Sequence, residues 1–195
     1  DGDRLGFPVF PTNWTTTEGE VFSGYREKGY YPESFINMLA FLGWNPGTTQ
    51  ELFSLEELSA AFTLDRVSKA GAKFDPDKTK WFQQQHLRLR DNAVLAAEFK
   101  IIVDGDHSLE KLSTICGLMK ERTTFIQDIL TEGGYLLEKP ASYDEKTVRK
   151  KWKEHSPALM REWLLELKYI EPFNAETIES TFKAFLGARE MGIGA

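Results

Sequence analysis

From residue 32 onward the chain is divided by helix-start signals set so closely that long strands have no room. Proline suits the first turn of a helix, because its φ is already near the helical value and its missing N–H would bond nothing there. Pro32 is followed by Glu33, which favours the positive end of the helix dipole, and then by Phe35, Met38, Leu39 and Leu42 at i, i+3, i+4 and i+7. Asn45-Pro46-Gly47 is the expected stop. Ser54 with Glu57 three residues on reads as a capping box, with Phe53 and Leu58 as its hydrophobic staple. Asp75-Pro76 starts a helix that carries Trp81 and Phe82 inward, and "DNAVLAAEFKIIVDGD" continues the helical period as far as Gly105. Ser108 opens a run reaching Ile129 that Gly117 is expected to divide. Ser142 with Glu145, Ser156-Pro157, and Asn174 with a Phe173–Ile178 staple open three more helices.

Residues 1–24 lack this punctuation. They are rich in Gly, Pro, Thr and aromatics, and predict a loop with a short hairpin packed down by Phe7, Phe10, Trp14 and Phe22. The predicted fold is therefore mainly α. An irregular lead-in over residues 1–24 precedes a small helical domain over 25–92, and a helical bundle fills 93–195. The boundary between the two helical sets is placed between Leu87 and Val94, where a basic tract gives way to a long apolar helix.

A chain of 195 residues with 41% hydrophobic content can bury more than one small core. No run approaches the ~20 apolar residues of a membrane span. The single Cys116 excludes an internal disulfide and fits a reducing compartment. The net charge is −6, from 24 basic and 30 acidic residues, which taken alone argues against nucleic acid. Its distribution says more. Residues 66–90 hold Arg66, Lys69, Lys73, Lys78, Lys80, Arg88 and Arg90 against Asp75 and Asp77, and residues 146–161 hold six basic side chains against Glu154. Each tract is suited to a phosphate backbone, or to a solvated helix face.

No residues form a catalytic constellation. "GDRLG" and "GIGA" lack the strand–glycine–helix context of a phosphate-cradling loop and read as turns. Cys116, in "STICGLM", is placed in a core. The three histidines lie apart from other ligand types and make no metal pattern. His107 is expected at the surface, and His86 and His155 at solvated helix ends beside the basic tracts. Asp75, Asp77, Glu56 and Glu57 are accounted for by capping and the helix dipole.

Two blocks carry a resemblance. "YREKGYYPESFINMLAFLGW" resembles the segment of bacterial glutamyl-tRNA synthetases that follows their KMSKS-type ATP-site loop, commonly YRxxGYLPEALxNYLxLLGW. "FSLEELSAAFTLDRVSKAGAKFDPDKTKWF" resembles the next conserved run of that family, at matching spacing. Together they cover roughly residues 25–87, and the remaining ~100 residues resemble the family's first anticodon-binding helical subdomain in pattern. The resemblance implies a tRNA-binding portion of a class I synthetase that joins glutamate to tRNA(Glu). On that reading the catalytic body lies upstream and the final helical subdomain downstream. The piece itself is non-catalytic and holds no cofactor or metal, with ATP, Mg2+ and glutamate handled by the intact enzyme, a cytoplasmic monomer. Residues 25–92 become a stem-contact domain that grips the inner arm of the tRNA through Arg66, Lys69, Lys73 and Lys80.

In "GLMKERTTF", Arg122 aligns with an arginine that contacts the first anticodon base in glutamate-specific members. A guanidinium can bond a base edge and stack on it at once, and RNA is read most specifically at splayed, unpaired bases. The alternative for Arg122 is an ion pair with Glu121 or Asp128. The chain also departs from the family. Residues 3–22 are longer and more aromatic than the usual connection, and Gln83 stands where Asn is usual, which puts that residue's hydrogen bond in doubt. A second reading keeps the helices and drops the RNA: Trp14, Trp44 and Trp81 form a protein-docking surface and the basic tracts are merely solvated. Whether residues 66–80 and Arg122 share one face discriminates the two. A third reading, a parent that also charges glutamine tRNA, is opposed by Arg122.

Overall fold

The structure, a computed structural model, describes residue 2 and residues 6–193. Among these the regular structure is helical apart from one two-stranded ribbon, and the chain divides into two compact units, residues 1–139 and residues 140–195.

In the first unit the lead-in forms the expected hairpin. β1 (Trp14–Thr15) pairs antiparallel with β2 (Val21–Phe22), setting Trp14 opposite Phe22. The Phe10 ring lies 5.1 Å from Trp14 and 6.2 Å from Phe22, and Phe7 packs on Phe74 at 4.9 Å. The ribbon folds back tightly at Gly24. A Cβ there would fall 2.1 Å from the Thr12 carbonyl carbon, while its N–H donates to Asn13 Oδ1 at 2.8 Å.

Helix α1 (Pro32–Ala40) starts on Pro32 as predicted and ends earlier than predicted. Phe41, Leu42 and Gly43 form a tight turn, with Gly43 at φ 105, so the stop is Gly43 rather than Asn45-Pro46-Gly47. Phe41 leaves the helix to pack against Trp44, Phe53 and Phe82. The apolar stripe is also narrower than its spacing implied, since Leu39 is exposed beside Ile36. α2 (Leu55–Ala61) carries the complete Ser54–Glu57 capping box, with Phe53 and Leu58 buried together against Trp44. A 3-10 turn (Leu64–Arg66) and an extended loop lead to α3 (Pro76–Leu89), capped by Asp75, whose carboxylate accepts from the N–H groups of Asp77 and Lys78.

The chain breaks at Arg90 and restarts with Asp91 capping α4 (Asn92–Ile102). α5 (Leu109–Met119) is capped by Ser108 and runs through Gly117 without a break. The division falls at residues 120–125, where Asp128 caps α6 (Ile126–Leu137) by accepting from the N–H groups of Thr124 and Phe125. Gly117 instead lets α5 approach α4, because a Cβ would lie 2.7 Å from Asn92 Nδ2.

Three apolar centres hold this unit, one of them the Trp44, Phe53 and Leu58 cluster under α2. Tyr25, Tyr30, Met38 and Phe82 are buried where α1 crosses α3. Leu87, Leu95, Phe99, Leu112, Ile115, Cys116, Met119 and Ile129 are buried among the end of α3, α4, α5 and α6. Cys116 is a core residue as expected, and burial pushes its thiol up to about 11.

The second unit contains α7 (Glu145–Lys151), α8 (Ser156–Leu167) and α9 (Ala175–Gly187). The cap of α7 is Asp144 rather than Ser142: its carboxylate accepts from Thr147 N–H at 2.7 Å, and hydrogen bonding by the Thr147 side chain and then its main-chain N–H lowers its pKa. Asn174 caps α9 as predicted, but Phe173 stays 68% exposed, so no staple forms there. α8 and α9 pack through Trp163 on Phe182 and Phe185, and Arg189 lies over Phe185 while pairing with Glu162.

Candidate nucleic-acid interface

The first basic tract is not uniform. Lys78 pairs with Glu51 and lies 4.1 Å over the Trp81 ring. Arg88 reaches Glu121, donating to its main-chain carbonyl and standing 3.4 Å from its carboxylate. Arg90 Nη1 bonds Glu98 at 2.8 Å, Nη2 stands 3.3 Å from Glu33, and its guanidinium stacks 3.7 Å above Tyr31. The Tyr31 hydroxyl donates to the same Glu98, and burial with this carboxylate raises the phenol's pKa. The main-chain carbonyl of Arg90 accepts from Lys120 Nζ at 2.9 Å. Three of the seven cations are therefore structural, tying α1, α3, α4 and the end of α5 together.

The other four are the residues singled out from the sequence. Lys69, Lys73 and Lys80 are exposed and have no carboxylate partner among the described residues. Arg66 is exposed at the end of the 3-10 turn and donates to the Pro46 carbonyl, which fixes its position without neutralising it. The loop that bears them is itself anchored: Val67 bridges to Trp44, Ser68 N–H donates to Gly43 O at 2.6 Å, and Phe74 packs on Phe7.

Arg122 is exposed in the turn after α5, and no hydrogen bond or ion pair of its side chain occurs among the described residues. Both partners considered from the sequence are occupied, Glu121 by Arg88 and Asp128 by its cap. Helix α3 relates the two groups. The loop cations stand at its N-terminal end and the Arg88–Glu121 contact next to Arg122 at the other, so 14 residues separate them, roughly 20 Å at 1.5 Å per residue. Lys80 and Arg88, eight residues apart, project within about 80° of each other around α3. Lys80 thus projects within about 80° of the side of α3 from which Arg88 reaches Glu121, the neighbour of Arg122.

Other expectations fare differently. His86 is half-buried with Nε2 3.2 Å from Asn37 Oδ1, and burial lowers its pKa, so it is not a solvated helix end. His107 is likewise tucked in, its Nε2 buried without a partner. Trp44 is buried among Phe53 and Leu58, which removes it from any docking surface with Trp14 and Trp81. Gln83, in doubt as a hydrogen-bonding residue, is fully buried; Oε1 accepts from Tyr31 N–H at 2.8 Å and Ser34 Oγ at 2.7 Å, and Nε2 donates to Gly29 O at 3.3 Å. Its run of Gln83-Gln84-Gln85 gave no sign of that role, because all three partners lie about fifty residues earlier.

A family model described as an anticodon binding domain matches residues 84–195, more than half of the chain. The chain belongs to the anticodon-binding-domain family. A second model, the catalytic domain of class I tRNA synthetases (E and Q), matches residues 18–81. Among relatives of this anticodon-binding-domain chain, a glutamate–tRNA ligase of Flavobacterium johnsoniae is 50% identical over 197 residues, and one of Christiangramia forsetii 47% over 198. Each alignment takes in the whole chain and 39% of the relative. The crystal structure of a glutamate tRNA ligase from Elizabethkingia meningosepticum in complex with its amino acid matches with a TM-score of 0.91 at 42% identity, again over all of this chain and 39% of that one. The chain spans about two fifths of the length of these relatives. Among the described residues no helix is long and apolar enough to cross a membrane.

Proposed function

We propose that this chain is the tRNA-binding part of a glutamate–tRNA ligase. Arg66, Lys69, Lys73 and Lys80 hold the phosphate backbone of the inner arm, within a stem-contact portion set at residues 25–92, and Arg122 reads the anticodon from the portion that follows. The carrying observation is the sorting of charge: carboxylates engage Lys78, Arg88 and Arg90, whereas Arg66, Lys69, Lys73, Lys80 and Arg122 have no such partner among the described residues. Cations free of carboxylates neutralise phosphates and set affinity, whereas few of them read sequence. The catalytic reaction belongs to the part of the relatives' length that this chain does not span. ATP, Mg2+ and glutamate are assigned to that part on this reading. The intact protein on this reading is a cytoplasmic monomer.

The test is a pair of binding curves, for tRNA(Glu) and tRNA(Gln), on the chain and on Arg122→Gln. The expected result is a preference for tRNA(Glu) that shrinks about tenfold in the variant, the worth of one good base contact. An unchanged preference, with binding retained, removes Arg122 from anticodon reading.

A further inference from the structure

The second basic tract takes no part in the interface above. In the unit of residues 140–195, the end of α7 and the start of α8 enclose a cavity of about 500 Å3. Its floor is apolar, made by Leu159, Met160 and Met191. Its wall is Trp152, 52% exposed. Its lining also carries the cations Lys150 and Lys153, with His155 beside them, and Ser156 presents the positive end of the 12-residue helix α8. The side chains of Lys150 and Lys153 have no carboxylate partner among the described residues.

The corner that carries Trp152 is fixed locally. Trp152 leaves α7 with an extended backbone (ψ 112), its N–H still held by Val148 O at 2.8 Å. The next residue, Lys153, donates its N–H to Ser156 Oγ at 2.8 Å, closing the turn into α8. A broad aromatic face is thereby held open to solvent with lysines on both sides of it in sequence.

This combination selects among ligands. A phosphate ion would use the lysines and the helix end and leave the indole and the methionines idle. An apolar peptide side chain would use the floor and set the lysines against nothing. An unpaired nucleotide uses all of them, since its base has an apolar face to stack and its phosphate a charge to meet. We infer that this cavity binds one unpaired nucleotide of an RNA chain, the base stacked on Trp152 and the flanking phosphates on Lys150 and Lys153. The inference rests on the RNA-binding reading above and adds to it a contact that the cations of residues 66–80 and Arg122 do not supply.

The experiment measures binding of an eight-nucleotide single-stranded RNA carrying 2-aminopurine at one internal position, beside a duplex of the same sequence and inorganic phosphate. On the unaltered chain the 2-aminopurine emission should be quenched. Trp152→Ala should weaken single-strand binding about tenfold or more and remove that quenching, while Trp152→Phe, which keeps a stacking ring, should stay within about threefold. Lys150→Glu with Lys153→Glu, at exposed positions where folding is indifferent, should lower the salt slope for the single strand by about 1.4 or more. If tRNA binds but these variants bind the single strand as the unaltered chain does, the site is wrong and the interface on the first unit stands. Phosphate alone binding with the same dependence on Trp152 and the lysines overturns the nucleotide assignment. A chain that binds no RNA at all overturns both readings.

Discussion

Replacing Gln83 by Leu tests the packing argument beneath the interface. The side chain is fully buried between α1 and α3, and Leu nearly matches its volume, so the loss is polar rather than a cavity. Ser34 Oγ keeps a partner, because its one hydroxyl proton can turn wholly to Tyr31 O at 2.8 Å. Tyr31 N–H loses its acceptor and Gly29 O loses a donor, the latter at a long 3.3 Å. A buried polar group left unpaired costs about 1–3 kcal/mol. The Tyr31 amide contributes most of that and the Gly29 carbonyl a smaller share, so the expected destabilisation is about 2–4 kcal/mol. Urea unfolding followed by tryptophan emission measures it, with hydrogen exchange at the Tyr31 amide as the local readout. The exchange should accelerate in the variant before global unfolding. A loss under about 0.5 kcal/mol, the range of an ordinary surface change, with unchanged exchange, would refute the reasoning.

Arg90→Met removes contacts to Glu33, Glu98 and the Tyr31 ring at a site 25% exposed, and should cost about 1–2 kcal/mol after allowance for solvent screening; an unchanged Tm would mean that Arg90 does not brace the two helical sets. Arg122→Ala should shift stability by less than about 0.5 kcal/mol while weakening tRNA binding, and a large fall in Tm would reveal a structural partner. Burial lowers the His86 pKa below its usual 6.5, so as pH falls below that value the unfolded chain takes up the proton first and stability is lost. His86→Gln should flatten the stability curve below pH 6.5, as read by Tm against pH; an identical slope in both proteins opposes it. The Cys116 thiol, pushed up to about 11, gives the opposite limb: stability present at neutral pH declines as pH rises from about 9 toward 11, and Cys116→Ala should lack that decline in the same Tm series.

The starts of helices were legible because a cap is a contact within three residues. Ser54 with Glu57, Asp75, Ser108 and Asn174 all cap where the sequence placed them. The stops were less so. A turn at Gly43 preceded the stronger-looking Asn45-Pro46-Gly47, since Phe41 gains more by packing on Trp44 and Phe82 than by staying helical. Asp144, two residues beyond Ser142, is the cap of α7, its carboxylate accepting from Thr147 N–H. The sorting of the cations was not legible at all. Lys78 meets a carboxylate 27 residues away, Arg88 a residue 33 away and Arg90 carboxylates 8 and 57 away, and a tract of sequence carries no sign of the distant partners. His86 and Gln83 were misread for the same reason: what buries them is α1 and its lead-in, some fifty residues earlier.

The central claim is that five cations on one unit meet RNA phosphates and bases despite the acidic total. The slope of log affinity against log salt for tRNA reads this directly, at about −0.9 for each phosphate neutralised. The account predicts a slope of about −3 to −5 for the chain, and a slope shallower by about two units for Lys73→Glu with Lys80→Glu. Affinity that is flat with salt, or a slope untouched by those two substitutions, would contradict it.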